Sequence, residues 1–219
     1  MIKTTIVGFG DSLTSGYGVL TGDNYLDRLE QYLPKYYPSI YWKIHNISKS
    51  SITTREGLEL LSDKVLPLKP NIVLILLGTN DSALNPELNR ALDEFEDNFK
   101  EMICLLLDTS NNTGLNYCIP IPVLITPPCV IEHITSPIRT NNRIHQYSHI
   151  IKKISKQYNC PLIDFFSITN DFIDKEKLFL KDGIHLSKKG YDLLYDSIFG
   201  EFTKLINYEG LLRDREMHI

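Results

Sequence analysis

The 219-residue chain lacks any apolar run long enough to cross a bilayer, a crossing that takes about 20 consecutive apolar residues. Its apolar start, Ile2 to Phe9, is short, runs into Gly10-Asp11 and carries no small-residue cleavage site. It therefore reads as a buried strand rather than an export signal. A basic surplus is also missing: 23 Lys and Arg face 27 Asp and Glu, a formal net charge of −4. Phosphate backbones are bound by basic stripes, so nucleic acid is not the expected partner. The pairs Lys152-Lys153 and Lys188-Lys189 fall within helical patterns and read as solvated faces. The four cysteines (Cys104, Cys118, Cys129, Cys160) form no Cys-x-x-Cys pair. That scatter suits free thiols in a reducing compartment, and the cytosol is the default expectation.

No low-complexity tract, internal repeat or linker divides the chain. A composition of 42% hydrophobic and 23% charged residues is that of an ordinary globular domain, and this length suits one well-buried core. A single domain over residues 1–206 is expected, with residues 207–219 as a frayed or docking tail.

Short apolar runs alternate with longer amphipathic ones. Thr4–Phe9 reads as a strand, Asn24–Leu33 as a helix stopped by Pro34, and Tyr41–Asn46 as a second strand. Thr53–Val65 reads as a helix with Thr53 or Thr54 as its N-cap. Asn71–Leu77 is continuously apolar, as in a strand buried on both faces. A long helix from about Glu87 to Leu107, a polar loop Thr109–Asn116 and a strand Val123–Thr126 follow. The helix Asn141–Tyr158, a short strand Pro161–Asp164 and a closing helix Ser187–Leu205 complete the series. This alternation predicts one α/β domain, a parallel five-stranded sheet with helices on both faces. In such sheets sites lie beyond the carboxyl ends of the strands. Chemistry is therefore expected just after Phe9, Asn46, Leu77 and Thr126.

Three segments carry it. Gly10-Asp11-Ser12-Leu13 puts a serine hydroxyl just after the first strand, where backbone N–H groups favour developing negative charge; alone, it reads equally as a helix cap. Gly78-Thr79-Asn80-Asp81 ends the third strand with an amide that can donate to a tetrahedral oxyanion or simply cap a turn. Asp182-Gly183-Ile184-His185 sets a carboxylate three residues before a histidine. At that spacing Asp182 can orient one imidazole nitrogen while the other takes a serine proton.

Taken together, the three segments resemble the blocks of the SGNH, or GDSL-type, hydrolases, in the right order and over residues 4 to about 206. Arg139-Thr140-Asn141 and Gly183–Tyr191 look most like the isoamyl-acetate-hydrolysing esterase branch. The resemblance implies a three-layer α/β/α, flavodoxin-like fold and a cofactor-free, metal-free serine hydrolase of short to medium acyl esters. It makes Ser12, His185 and Asp182 catalytic, and the Ser12 and Ser51 backbone N–H groups and Asn80 the oxyanion hole. Ser51 departs from the pattern, standing where the family usually has a glycine. Serine tolerates positive φ poorly, so lowered activity or narrowed specificity is an accompanying expectation.

Other readings rank lower. A turnover-free interaction module would keep the fold, and acyl transfer or carbohydrate deacetylation would use the same three residues. No Gly-x-Ser-x-Gly elbow is present. His145 and His149 have zinc-peptidase spacing, but Gln146 replaces the needed Glu, so they read as ordinary helix histidines. Cys129 follows the fourth strand without a basic neighbour and reads as an inert thiol. Gly8-Phe9-Gly10 lacks the third glycine of a dinucleotide loop, and Asp11 would repel a pyrophosphate. The sequence does not specify the oligomeric state.

Overall fold

The computed structural model describes residues 2–109 and 119–207. Its strands are β1 (Ile2–Gly10), β2 (Ile40–Ser48), β3 (Ile72–Leu76), β4 (Ile121–Ile125) and β5 (Leu162–Ile163). All pair in parallel, in the order β2-β1-β3-β4-β5. This is the flavodoxin-like order, whose direction of winding reverses between β1 and β3 and opens a crevice there. The three-layer α/β/α architecture expected from the alternation is therefore present.

Side chains alternate along each strand and feed two cores. From β3, Ile72, Leu74 and Leu76 pack with Leu29 and Leu33 of α2 (Tyr25–Tyr36) and with Leu194 and Ile198 of the C-terminal helix Lys188–Asn207. Val73 and Ile75 face the opposite core, with Phe95 and Phe99 of the helix Leu92–Leu107 and Ile151 of the helix Asn141–Tyr158. Every residue of β3 and β4 is buried, which explains their unbroken apolar sequences.

In chain order the helices are α1 (Ser12–Ser15), α2, α3 (Thr54–Leu60), α4 (Leu92–Leu107), α5 (Glu132–Thr135), α6 (Asn141–Tyr158), α7 (Phe165–Asn170) and α8 (Lys188–Asn207). The bounds of α6 match the sequence pattern: Thr140 accepts from Arg143 N, and Asn159 closes the helix in the left-handed region at φ 52°.

Three expectations shift. Pro34 does not stop α2 but lies inside its last turn, where few intrahelical bonds remain to lose; Tyr37 N still donates to Leu33 O at 2.8 Å. The helix expected over Thr53–Val65 is α-helical only to Leu60, then widens into a π turn over Leu61–Val65. The helix expected from Glu87 begins at Leu92 instead. Before it, Asn85 Oδ1 accepts from Glu87 N at 2.9 Å and Asn89 Nδ2 donates to Ala83 O at 2.8 Å, so polar side chains take backbone groups a helix would use. Most of the expected polar loop Thr109–Asn116, and residues 208–219 of the expected tail, lie outside the described residues.

Candidate active site

Ser12 is the first residue of α1, directly beyond β1 at the crevice between β1 and β3. A helix of four residues does not sustain itself, and here its neighbours hold it. Asp11 caps its start, accepting from Leu13 N at 2.9 Å, and Gly16 ends it at φ 84°, a conformation glycine adopts freely. The carbonyls it leaves open are taken by other elements. Tyr191 of α8 donates to Leu13 O at 2.8 Å, while Asn24 and Asn46 donate to Thr14 O at 2.9 and 3.0 Å.

The Asp182–His185 loop reaches the same crevice from the far end of the chain. Leu180 N donates to His185 O at 2.7 Å, and Gly183 turns the chain at φ 70°. Ile131 N, just before α5, donates to Gly183 O at 2.9 Å and ties the loop to the segment after β4. The result is a continuous chain of polar atoms. His185 Nε2 lies 2.9 Å from Ser12 Oγ, and His185 Nδ1 lies 2.7 Å from Asp182 Oδ2. The second carboxylate oxygen, Oδ1, accepts from the backbone N–H groups of Ile184 and His185, both at 2.9 Å. Partial burial works against the Asp182 charge, but these bonds outweigh it and hold its pKa below the usual carboxylate range.

Asn80 is buried beside this chain. Its Nδ2 donates to Ile52 O at 2.9 Å and, over a longer 3.3 Å, to Asp11 Oδ2. An oxyanion beside Ser12 would therefore compete with Asp11 for the second amide proton. Ser51, next to Ile52, takes φ 62°, the left-handed conformation that the family's glycine would adopt without cost.

Four groups around the site had no role assigned from the sequence, although Asp11, Asp81 and Arg139 lie in segments named above. The Tyr17 ring lies against His185, with centroids 4.2 Å apart at 36°, although the tyrosine is half-exposed. Asp11, which contacts Asn80, is fully buried; burial, with Asp81 nearby, pushes its pKa to about 7 against the Leu13 N–H and Arg139. Asp81 is likewise buried and pushed to about 6, although Thr54 donates to it through both N and Oγ1. Arg139, from the segment before α6, donates through Nη2 to Asn80 Oδ1 at 3.3 Å and through Nε to Thr79 O at 3.4 Å. None of these contacts has a local sequence signal, because each partner comes from a different strand end.

The remaining sequence candidates lie elsewhere. The His145 ring packs against Phe166, centroids 5.5 Å apart. Cys129 is wholly buried, and burial pushes its thiol pKa up. Among the described residues no cluster of three or more His, Cys, Asp or Glu side chains could hold a metal ion, and no helix is long and apolar enough to cross a membrane.

A parallel 2-1-3-4-5 sheet with a serine, a histidine and an aspartate in hydrogen-bonded sequence at its switch point defines a class, the SGNH-type hydrolase fold. Residues 9–193 match the GDSL-like Lipase/Acylhydrolase family, and the chain belongs to it. The human isoamyl acetate-hydrolyzing esterase 1 homolog is 28% identical over 151 residues, covering 65% of this chain and 60% of the human protein. The Arabidopsis thaliana GDSL esterase/lipase CPRD49 is 25% identical over 225 residues, 93% of this chain and 79% of the plant protein. Among solved structures, a lipase/acylhydrolase from Enterococcus faecalis superposes with a TM-score of 0.75 at 27% identity, covering 92% of this chain and 96% of that one. The acetylxylan esterase Axe2 from Geobacillus stearothermophilus shares the fold at a TM-score of 0.72 and 21% identity, over 90% of this chain and 93% of its own.

Proposed function

We propose that this chain is a serine hydrolase of carboxylic esters with Ser12 as nucleophile, His185 as general base and acid, and Asp182 as the group that orients and charges against the imidazole. The observation that carries the reading is the unbroken path Ser12 Oγ–His185–Asp182, at 2.9 and 2.7 Å. Ser12 Oγ attacks the ester carbonyl carbon as its proton passes to His185 Nε2. The oxyanion that forms takes hydrogen bonds from the backbone N–H groups of Ser12 and Ser51 and from Asn80 Nδ2. Collapse of the intermediate expels the alcohol, which receives the proton from His185 and leaves an acyl-serine. Water then attacks that ester, His185 takes its proton, and the second collapse returns the proton to Ser12 with release of the acid.

The substrate we propose is a short to medium acyl ester, as in the isoamyl-acetate-hydrolysing branch. The human homolog named above and a Saccharomyces cerevisiae isoamyl acetate-hydrolyzing esterase, 28% identical over 159 residues, support that choice. A panel of nitrophenyl esters from two to twelve acyl carbons, run on wild type and Ser12→Ala, tests both levels. Ser12→Ala is expected to lower turnover by at least about 1,000-fold while keeping the wild-type circular dichroism spectrum and melting temperature. A fluorophosphonate should label wild type and not the variant. Equal turnover in the two proteins rejects the nucleophile, a wild type that takes no label indicates a non-catalytic module, and a long-chain optimum rejects the short-ester branch.

A further inference from the structure

We infer that Arg139 is a positioning residue for the oxyanion hole, acting through Asn80; this rests on the serine-hydrolase reading above. A primary amide has two nearly isosteric ends, and only the nitrogen end can donate to an oxyanion. In this protein the two ends meet partners of opposite kind. Nδ2 faces the Ile52 carbonyl at 2.9 Å and the Asp11 carboxyl at 3.3 Å. Oδ1 faces Arg139 Nη2 at 3.3 Å, and a guanidinium has no acceptor. A flipped amide would set oxygen against two oxygens and nitrogen against a cation. Arg139 thus rejects the wrong orientation from the one side that Ile52 and Asp11 do not cover.

The same contact makes Asn80 a better donor. A cation bonded to Oδ1 withdraws charge along the amide and leaves the Nδ2 protons more positive, as in any polarised chain of hydrogen bonds. Arginine stays charged throughout the pH range of folded proteins. The hydrogen bonds of Arg139 at this site run to neutral oxygens, Asn80 Oδ1 and Thr79 O; burial lowers its pKa, and the charges of Asp11 and Asp182 work against that shift. The guanidinium is held at the site by these two hydrogen bonds.

The backbone that carries Arg139 is fixed independently of the site. Arg139 N donates to Thr135 O at 3.1 Å, Thr135 Oγ1 donates to Arg139 O at 2.9 Å, and Leu84 N donates to Ile138 O at 2.8 Å. This last bond joins the segment after β4 to the one after β3 that bears Asn80, so guanidinium and amide keep their relative placement.

A double-mutant cycle with Arg139→Ala, Asn80→Ala and the pair, on full-length protein and a nitrophenyl ester, tests the inference. Arg139→Ala should lower kcat about 10- to 100-fold, less than the loss of a donor itself, with KM within about threefold. The double variant should turn over no more slowly than Asn80→Ala alone, because Arg139 then has no amide to act on. Methylguanidinium should restore part of the kcat of Arg139→Ala and none of the double variant. Should Arg139→Ala fail to fold, Arg139→Lys, which keeps the charge and loses the planar fork, runs the same cycle. Additive losses, a loss borne by KM, or a fall in kcat matched by a drop in melting temperature would overturn the assignment while leaving Ser12 as nucleophile. Ester turnover that is absent from wild type or survives in Ser12→Ala overturns both readings.

Discussion

Asp81 lies under the site with its Oδ1 bonded to Thr54 and its Oδ2 buried without a hydrogen-bond partner among the described residues. A protonated carboxyl suits that setting, and burial raises its pKa to about 6. The folded protein then keeps a proton that the unfolded chain releases near pH 4, so stability falls as pH rises from about 4 to 6 and levels off above. Asp81→Asn keeps the acceptor for Thr54 and removes the charge. It is expected to gain about 2–3 kcal/mol over wild type at pH 7.5 and little at pH 4, read from urea unfolding at the two pH values. An equal difference at both would mean that protonation is not the cause. Asp11, pushed to about 7 by burial with Asp81 nearby, contributes in the same direction, so removing the Asp81 charge also eases ionisation of Asp11 and the gain at pH 7.5 includes both. Ser51 shows the opposite kind of cost: a left-handed serine stores about 1–2 kcal/mol of backbone strain that a glycine would not. Strain of this kind is maintained by its surroundings, here the Asn80–Ile52 bond one residue away.

At the scale of elements, the start of α3 is joined to a second segment of the site's support. Thr53 N donates to Glu56 Oε2 at 2.9 Å, and the Thr53 hydroxyl donates to the same oxygen. That hydroxyl also accepts from Arg90 Nε at 2.9 Å, and Arg90 reaches Glu56 Oε1 at 3.1 Å through Nη2. Arg90 is nearly fully buried and stands just before α4, so these bonds tie the α3 terminus to the segment leading from Asn80. Thr53→Val preserves shape but strands the Nε donor and removes the hydroxyl. A loss of about 1–3 kcal/mol is expected, measured as a lower urea midpoint with an unchanged slope. A loss below about 0.5 kcal/mol, ordinary for a neutral surface change, would show that the hydroxyl does not hold this corner.

The whole molecule is a sheet with an independent core on each face. Ile75 belongs to the core with α4 and α6, and Ile125 to the core with α2 and α8. Each is fully buried, so Ile75→Val and Ile125→Val should each cost about 0.5–1.5 kcal/mol. Their side chains share no packing partners, and the double variant should cost the sum to within about 0.5 kcal/mol. A larger coupling, from urea unfolding of the four proteins, would mean that strain passes through the sheet. The layering also explains the location of the crevice. Helices cover both faces, and the loops after β1 and β3 part where the strand order reverses.

What was legible in the chain was what neighbouring residues decide among themselves. The unbroken apolar runs of β3 and β4 follow from burial on both faces, and the bounds of α6 follow from its caps. Ser12, Asn80, Asp182 and His185 were visible because each sits in a short segment just after a strand or before a helix. The resemblance to the family marked Ser51 as the awkward member, since it stands where the family usually has a glycine, and the structure gives it φ 62°. Only the tertiary structure decided what lies across the crevice. It joined Ser12 to a histidine 173 positions away, laid Tyr17 on that ring, and brought Asp11 and Arg139 to opposite ends of one amide. It also delayed α4 to Leu92, because Asn85 and Asn89 found backbone partners that no helical period reveals. Such contacts depend on strand order and loop closure rather than on local pattern, and residue spacing along the chain carries no record of them.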